Sequence, residues 1–441
     1  MSKFYEKNMK DGEIKMIKNK KVKSILTMMG IMLLSVLAIS GLTFAQVTIT
    51  VWDWHYGAGQ LAGDAMEVMD AMFAEKYPDV KINHVGQPHT PYYEIWLATA
   101  AAQEGPDVVM MHADGAYLTD YRDSLLTLDD YVAPWMDDLS AWNDCRTNKS
   151  PAGELKGVPF TIQGLPFYWN KQLFRQAGLD PDKALTEWND FIAGCNKLKA
   201  AGINALGWGN KEGWDFDWYV RNFMATALGL EGIAGFATGE TKWTDPRIVN
   251  AISMVKYLHD QGYFTEGGDS LPLFMDCGEL FYTGQSAIML GLTSDIYCWK
   301  DFGDALGPEN LGVFCNVNYE GAPYKDAYSA EAGMAWTVTA WSANPQEAVN
   351  YIKFMTSAEA AVPFVNICGG MPPSTTVDVS KLEVYPQFHT LVGFMKNPLV
   401  PYYGAYTGTE AADVFMASAQ LMFAGQMTPE EVAEATQEVM E

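Results

Sequence analysis

The sequence is short of positive charge. Its 441 residues contain 29 Lys and Arg against 54 Asp and Glu, which gives a formal net charge of −25 at pH 7. A chain this acidic is repelled by the phosphates of nucleic acids and by anionic membrane surfaces, so both are poor partners for the body of the protein. The charge is unevenly spread, because residues 1–45 hold eight lysines and only three acids.

The sequence also lacks the common signatures of catalysis and of metal binding. It has no GxSxG, GxxxxGK[ST], HExxH or EF-hand pattern, and its six histidines are scattered singly. The six cysteines form no CxxC spacing, so no zinc site is predicted, and disulfides and buried thiols both stay open. The residues therefore predict no cofactor and no catalytic group. Only geometry can exclude a glycosidase-type pair of carboxylates.

Aromatic residues, in contrast, are abundant. The chain has 14 Trp, 22 Tyr and 21 Phe, and 49% of its residues are hydrophobic. This composition predicts a packed globular protein, and the length is sufficient for two domains. The lysine-rich start is followed by an apolar run at 25–39 and by small residues before position 46. We expect residues 1–45 to be a signal peptide cleaved near Ala45, which leaves a soluble protein in the periplasm or another extracytoplasmic space.

From residue 46 onwards, apolar strands alternate with amphipathic helices. Strands are predicted at 47–52, 80–85 and 105–111, and helices at 64–77 and 92–103. This β-α-β-α-β order predicts an α/β fold with a mainly parallel, doubly wound sheet. Open sheets of this kind bind ligands beyond the carboxyl ends of their strands. Those ends are the loops that start at Asp53, Gly86 and His112.

One long motif follows at residues 153–181 and reads GELKGVPFTIQGLPFYWNKQLFRQAGLDP. It predicts a strand at 158–162, a break at Gly164 and Pro166, and a second strand at 167–169. Asn170 suits the N-cap of a helix at 171–177, because its side-chain oxygen can accept from free amides of the first turn. Gly178 then ends this helix.

Beyond this motif the sequence predicts a helix at 187–200, a strand at 328–339 and a helix at 428–440. Thr428 is expected as the N-cap of that last helix, with Glu431 completing a capping box.

The motif, together with GPDVV at 105–109 and GQSAIML at 284–290, resembles the extracellular solute-binding proteins of ABC transporters. The resemblance is to their carbohydrate-binding branch, family 1, which includes maltose-binding protein, and it covers nearly all of residues 47–441. It implies a two-lobe periplasmic-binding-protein-like fold of type II with a ligand cleft between the lobes. One lobe would comprise 46–161 and 327–373, and the other 162–326 and 374–441.

The resemblance also implies the function. A monomer of this family binds a mono- or oligosaccharide by hinge closure and delivers it to membrane permease subunits, without catalysis and without a cofactor. Aromatic rings stack on the C–H face of a sugar, while acids and amides bind its hydroxyls. The ligand-binding residues expected on this basis are Asp53, Trp54, His55, His112, Asp114, Gln163, Tyr168, Trp208, Asn210, Glu212, Trp214, Gly291, Ser294, Asp295, Glu331, Gly333 and Tyr403.

Several alternatives stay open. A Trp that maltose binders have near residues 291–295 is absent or displaced to Trp299, which argues against maltodextrin. A polyamine or another cation could instead be held by carboxylates with flanking rings. The five acids in question are Asp53, Asp114, Glu212, Asp295 and Glu331. An extracellular carbohydrate-active enzyme and a scaffold or chemoreceptor adaptor are the remaining classes, and the sequence does not specify the sugar.

Overall fold

The computed structural model describes residues 46–89, 91–273 and 277–441. The predicted signal peptide lies outside these residues. The chain divides into a small unit, described for residues 46–48 and 79–81, and a large unit of residues 49–78 and 82–441. In the small unit, the N–H of Val47 donates to the carbonyl of Asp79. The side chains of the candidate functional site all belong to the large unit.

A five-stranded sheet has the order β2-β1-β3-β11-β4. Strands β1 and β3 are parallel, and β11 runs antiparallel to both β3 and β4. The strand β1 buries every second side chain towards its carboxyl end, whereas β3 is buried on both faces. The strands of the five-stranded sheet are β1 (Val47–Asp53), β2 (Val80–Gly86), β3 (Val108–His112), β4 (Val158–Pro159) and β11 (Met334–Val338).

A four-stranded sheet has the order β7-β8-β6-β9. Strand β6 is antiparallel to β8 and β9, and β7 is parallel to β8. Three further strands form a small sheet in the order β12-β10-β5. The bounds are β5 (Ile162–Gly164), β6 (Phe167–Asn170), β7 (Asn204–Leu206), β8 (Ser286–Leu290), β9 (Leu311–Phe314), β10 (Tyr328–Ala332) and β12 (Leu399–Val400).

Helices cover the larger sheets. The first three long helices are α1 (Leu61–Lys76), α2 (Tyr92–Ala102) and α6 (Trp188–Ala200), and each agrees with its predicted bounds to within three residues at both ends. Three short helices lie between α2 and α6, namely α3 (Tyr117–Asp120), α4 (Asp129–Val132) and α5 (Lys171–Gln176). The others are α7 (Trp214–Ala234), α8 (Pro246–Asp260), α9 (Gly278–Tyr282), α10 (Trp299–Leu306), α11 (Pro345–Met355), α12 (Ala358–Cys368), α13 (Pro386–Phe394), α14 (Gly404–Thr407), α15 (Thr409–Phe423) and α16 (Pro429–Glu438).

The predicted helix caps are present. The side chain of Asn170 accepts hydrogen bonds from the backbone N–H groups of Gln172 and Leu173, and α5 begins at the next residue. Thr428 and Glu431 form a reciprocal capping box at the start of α16. Each cap satisfies amides that the helix itself cannot pair. Local sequence therefore determines where these two helices begin.

The prediction of an α/β protein with helix-flanked sheets is confirmed, but the sheets are mixed in direction and not mainly parallel, because β11 and β6 each run antiparallel to two neighbours. The strands of the five-stranded sheet all fall within residues 46–161 and 327–373, and those of the four-stranded sheet within 162–326. The small sheet combines β5, β10 and β12. The lobe boundaries themselves stay a prediction.

Two predicted strands are each divided, because the chain passes from one sheet to another inside them. The strand predicted at 158–162 becomes β4 and β5, and the one at 328–339 becomes β10 and β11. Gly333 separates the latter two, and a Cβ there would lie 2.5 Å from the Cβ of Gln163. A glycine is required at this close approach of two backbones.

All six cysteines are free thiols, and five of them are buried. Burial raises the pKa of Cys145 and Cys298, which keeps them protonated and unreactive. The open choice between disulfides and buried thiols is thus resolved in favour of thiols. Within the described ranges, no helix combines the length and the hydropathy that a membrane span requires.

The close approach at Gly333 leads to a stability prediction. We expect Gly333→Ala to lower the free energy of unfolding by about 1–3 kcal/mol, because the added methyl group overpacks the contact with Gln163. Urea unfolding followed by circular dichroism measures this. Gly393→Ala is the control, since a Cβ at this helical position meets nothing within 4 Å and should leave stability unchanged or raised. Equal effects of the two substitutions would contradict the prediction.

Candidate functional site

The candidate site is formed where β1 and β3 end. The loop after β1 carries Trp54 and His55, and the loop after β3 begins beside His112 and carries Asp114. Strand pairing places these loops side by side, since β1 and β3 are parallel neighbours. The site therefore lies at the sheet edge where open α/β sheets bind ligands.

Asp53 holds the loop after β1 in shape. Its Oδ1 accepts hydrogen bonds from the backbone N–H groups of His55 and Tyr56, at 2.8 and 2.7 Å. Its Oδ2 lies 3.0 Å from Nε2 of His84 on β2. The side chain is fully buried. Since both oxygens already have partners, the role of Asp53 is to position Trp54 and His55.

His84 lies between two carboxylates. Its second ring nitrogen, Nδ1, lies 2.7 Å from Asp70 on α1, and the ring of Tyr56 stacks on it at 4.1 Å. Burial acts to lower the pKa of His84, but the hydrogen bonds and charges of Asp53 and Asp70 outweigh it and raise the pKa to about 9. His84 is therefore a buried cation at neutral pH.

Aromatic and imidazole rings line the wall of the site. Trp54 stacks on His112 with ring centroids 4.6 Å apart and meets the edge of Tyr92 at 5.0 Å. The hydroxyl of Tyr93 lies 2.8 Å from Nδ1 of His112. Burial lowers the pKa of His112 and takes that of His89 to about 4. Both imidazoles are thus uncharged at neutral pH.

The four-stranded sheet contributes Ser294 and Asp295 from the loop after β8. Asp295 Oδ2 lies 2.8 Å from Nε2 of His55. The Ser294 hydroxyl lies 3.2 Å from Gln163 Oε1 and also within hydrogen-bonding distance of Asp295, and it can donate its one hydrogen to either acceptor. Burial acts to raise the pKa of Asp295, but the hydrogen bond and charge of His55 outweigh it and lower the pKa. His55 and Asp295 thus form a charge-assisted pair.

A second charged group is centred on Arg221 of α7. Its Nη1 lies 3.4 Å from Asp114, and its Nε lies 2.6 Å from Asp217. The guanidinium lies over the ring of Tyr402 at 4.1 Å. Asp114 also accepts from the side-chain amide of Gln163 at 3.2 Å. Tyr403 donates to Asp217, so this predicted residue reaches the site through the acid that holds Arg221.

Glu331 supports the backbone next to this group. It forms an ion pair with Lys149, in which both side chains are almost completely buried. Its Oε1 accepts a hydrogen bond from the N–H of Tyr402 at 3.2 Å. The predicted residue Gly333 lies two positions further, at the close approach to Gln163. Glu331 and Gly333 thus hold Tyr402 and Gln163 in place, and these two residues contact Arg221 and Asp114.

The other predicted residues make their contacts elsewhere. Trp208 is 1% exposed, stacks on Phe264 at 4.0 Å and donates to Asp269. Tyr168 is fully buried and donates to the carbonyl of Leu292, and its ring lies 2.8 Å from where a Cβ of Gly291 would be. Their predicted contact with ligand gains no support from the structure and stays a prediction.

The same holds for residues 210–214. The side chain of Asn210 accepts from the N–H of Phe216, which stabilises the start of α7. Glu212 accepts from the N–H of Leu273 at 3.3 Å, and Trp214 packs partly buried against the core. These contacts tie the loop before α7 to its own surroundings.

The sequence reasoning missed Arg221, His84, His89 and Tyr93. For Arg221 a signal existed, because it is the one basic residue in the segment 214–234 and follows Asp217 by one helical turn. A lone Arg in an apolar helix needs an acidic partner when buried. The histidines gave no such signal, since they form no metal-ligand or catalytic motif in the sequence.

The comparisons with known proteins identify the class. The pattern of the family described as bacterial extracellular solute-binding protein matches residues 69–390. The chain belongs to this family, whose members bind solutes and are not catalytic. The resemblance to the extracellular solute-binding proteins of ABC transporters is thereby confirmed.

Two relatives illustrate the range of the family. The chain is 21% identical over 408 residues to an uncharacterized ABC transporter extracellular-binding protein of Pyrococcus horikoshii, covering 89% of this chain and 86% of the relative. It is 25% identical over 299 residues to the sn-glycerol-3-phosphate-binding periplasmic protein of Yersinia pestis, covering 60% of this chain and 63% of the relative.

Solved structures agree on the fold. A structure from a study of xylan utilization by Caldanaerobius polysaccharolyticus superposes with a TM-score of 0.79 at 22% identity, covering 90% of this chain and 100% of that one. A chitin oligosaccharide binding protein gives 0.77 at 22% identity, with coverages of 90% and 98%. A maltose-bound protein of Thermotoga maritima gives 0.72 at 20% identity, with coverages of 89% and 99%.

The buried cation His84 leads to a pH prediction. Its folded-state pKa is raised from 6.5 to about 9, so its contribution to stability is complete below pH 6.5 and is lost as the pH rises through 9. We expect His84→Gln to destabilise the protein at pH 6, by up to about 3 kcal/mol. The difference from the wild type should shrink steadily between pH 7 and 10.

Urea unfolding of both proteins across this pH range measures the difference. His389→Gln serves as the control, because His389 is exposed. A wild-type–variant difference that stays constant with pH would show that His84 is uncharged in the folded protein.

Proposed function

We propose that the protein is the substrate-binding component of an ABC importer and that it binds a carbohydrate in the cleft between its lobes. Ligand contacts on both sheets would favour a closed form, which then delivers the sugar to membrane permease subunits. The family supports the general role. The chitin oligosaccharide and maltose bound by proteins of the same fold support the ligand class.

The observation that carries this proposal is that the charges of the site are paired within the protein. Asp295 pairs with His55 at 2.8 Å, and Asp53 with His84 at 3.0 Å. Asp114 lies 3.4 Å from Arg221. Such a site offers hydrogen-bond donors and acceptors without a large excess of one charge, which suits an uncharged polyol.

The rings complete the match to a sugar. Trp54, His112, Tyr93 and Tyr117 form two stacked pairs, at 4.6 and 4.0 Å, beside these polar groups. A pyranose has an apolar C–H face and a rim of hydroxyls, so it requires flat rings and polar groups next to each other. The ends of β1 and β3 and the first residues of α2 and α3 supply this combination.

A cationic ligand is disfavoured by the same pairing. A polyamine needs carboxylates that are not already neutralised, and a buried amine without them is costly. Asp53 and Asp295 each have a histidine partner, and Glu331 has Lys149. Asp114 lies beside Arg221, so four of the five acids that the sequence offered for cation binding are already paired with a base.

Arg221 favours an anionic polyol as the second candidate. A buried guanidinium is a common phosphate ligand, and one relative is a sn-glycerol-3-phosphate-binding protein. Here, however, Arg221 contacts both Asp217 and Asp114. A phosphate would have to compete with these two acids, so we rank it below a neutral sugar.

A thermal-shift screen tests the ligand class. The panel contains chitotriose, xylotriose, maltotriose, galactose, sn-glycerol 3-phosphate and spermidine. We expect a shift with at least one neutral sugar, worth about 2.7 kcal/mol at 100 times its dissociation constant. A shift with spermidine or with sn-glycerol 3-phosphate alone would overturn the carbohydrate assignment.

Substitutions then test the location of the site. We expect Asp114→Asn and Arg221→Gln each to weaken binding of the sugar identified in that screen at least tenfold, since hydrogen bonds to charged groups contribute about 1.5–3 kcal/mol. Isothermal titration calorimetry measures the affinity. Asp190→Asn is the control, because Asp190 also pairs with a base, Lys183, but on the surface. Unchanged affinity in the Asp114 and Arg221 variants would place the site elsewhere, and Trp214→Ala would then test the loop before α7.

A further inference from the structure

The contact between His55 and Asp295 joins two different sheets. His55 follows β1 of the five-stranded sheet, and Asp295 follows β8 of the four-stranded sheet. Their side chains are 1% and 11% exposed, and Nε2 lies 2.8 Å from Oδ2. A buried contact of this kind forms only while the two loops lie together. If the sheets move apart, both side chains return to water.

Asp295 is the carboxylate that is hydrogen-bonded to the His55 ring. The other acid near it, Asp53, is engaged by His84 and by two backbone N–H groups. Among the described residues, Nδ1 of His55 has no hydrogen-bond partner. The titratable and charged groups that face His55 are Asp53 on β1, His84 on β2, His89 after β2, His112 on β3 and Asp295 after β8.

We propose that His55 and Asp295 form a proton-dependent latch, in which the closed arrangement of the two sheets is held by a protonated imidazole and is released when that proton is lost. The proposal rests on the hinge closure that belongs to the proposed function. It goes beyond that function because the latch acts without ligand.

The electrostatics support a proton-linked contact. A hydrogen bond between an imidazolium and a carboxylate is stronger than one between neutral groups, and it gains further in a buried site. Burial acts to lower the pKa of His55, but Asp295 and Asp53 outweigh it and raise the pKa. The closed form therefore binds this proton more tightly than an open form, in which His55 is solvated.

The sign of the effect follows from linkage. Protonated His55 favours closure below its ordinary pKa of about 6.5, and this preference is lost as the pH rises through the higher pKa of the closed form. Within that window the closed-to-open ratio falls by up to about tenfold per pH unit. The contact of Arg221 with Asp114 does not change its charge there, because a guanidinium stays protonated.

Small-angle X-ray scattering of the ligand-free protein tests the latch. The radius of gyration is measured at pH 6.0 and 8.5 at constant ionic strength, and circular dichroism verifies that the protein is folded at both values. We expect a larger radius at pH 8.5 for the wild type. His55→Asn should give the larger radius at both pH values, since asparagine cannot carry the proton.

Two further variants complete the experiment. Asp295→Asn removes the other half of the latch, should also give the larger radius at both pH values, and replaces His55→Asn if that variant does not fold. His389→Asn is the matched control, because His389 is exposed, and should behave as the wild type. A wild-type radius that is the same at both pH values, or a pH response retained in His55→Asn and Asp295→Asn, would overturn the proposal. The measurement uses no sugar, so its outcome is independent of the ligand screen.

Discussion

The burial of the Asp53 carboxylate is the constraint on which the rest of the site depends. A carboxylate removed from water needs hydrogen bonds or a charge to replace hydration. Asp53 obtains two backbone N–H groups from its own loop and an imidazole from the neighbouring strand. Because His84 is in turn held by Asp70, the loop after β1 is tied to α1 as well as to β2. Tyr351 of α11 donates to Asp70 and extends this network to a third element.

This rigidity has a consequence for recognition. Acids that are already paired with groups of the protein cannot also neutralise a cationic ligand. Gln163 donates to Asp114, and Arg221 lies 3.4 Å from the same carboxylate, so these contacts fix the directions of the two side chains. A site organised in advance loses less entropy on binding. For the proposed carbohydrate ligand, these pairs would hold the hydrogen-bonding groups in place before the hydroxyls of the sugar bind.

Local structure could be predicted from the sequence to a large extent. The first three strands and two helices follow from apolar periodicity, and the N-caps at Asn170 and Thr428 follow from side-chain chemistry within three residues. These features depend on neighbours in the chain. The division of a predicted strand at Gly333 does not, because it reflects the approach of Gln163 from a segment 170 positions away.

The site was predictable only where loops follow strands. Trp54, His55, His112 and Asp114 were expected because they end β1 and β3, and the structure brings them together. The sequence shows six isolated histidines, yet His55, His84, His89 and His112 interact, since three neighbouring strands carry them to one edge. For Trp208 the structure gives no such support: the resemblance placed it among the ligand contacts, its ring stacks on Phe264 in the core, and its contact with ligand stays a prediction. Burial of a ring depends on helices distant in sequence.

A buried ion pair fixes the segment of chain between the two larger sheets. Glu331 lies on β10 between the two larger sheets and forms a buried ion pair with Lys149. A buried ion pair contributes little net stability but is lost at high cost if one partner is removed, so it fixes geometry more than it adds free energy. Asn148 and Lys149 adopt left-handed backbone conformations, with φ of 54° and 47°, which cost roughly 1–2 kcal/mol each. The chain tolerates this cost because the turn places Lys149 next to Glu331. Glu331 in turn accepts from the N–H of Tyr402, whose ring lies beneath Arg221. The pairs His55–Asp295 and Arg221–Asp114 are separate from this ion pair, so the hinge motion proposed above would break them and leave the ion pair in place.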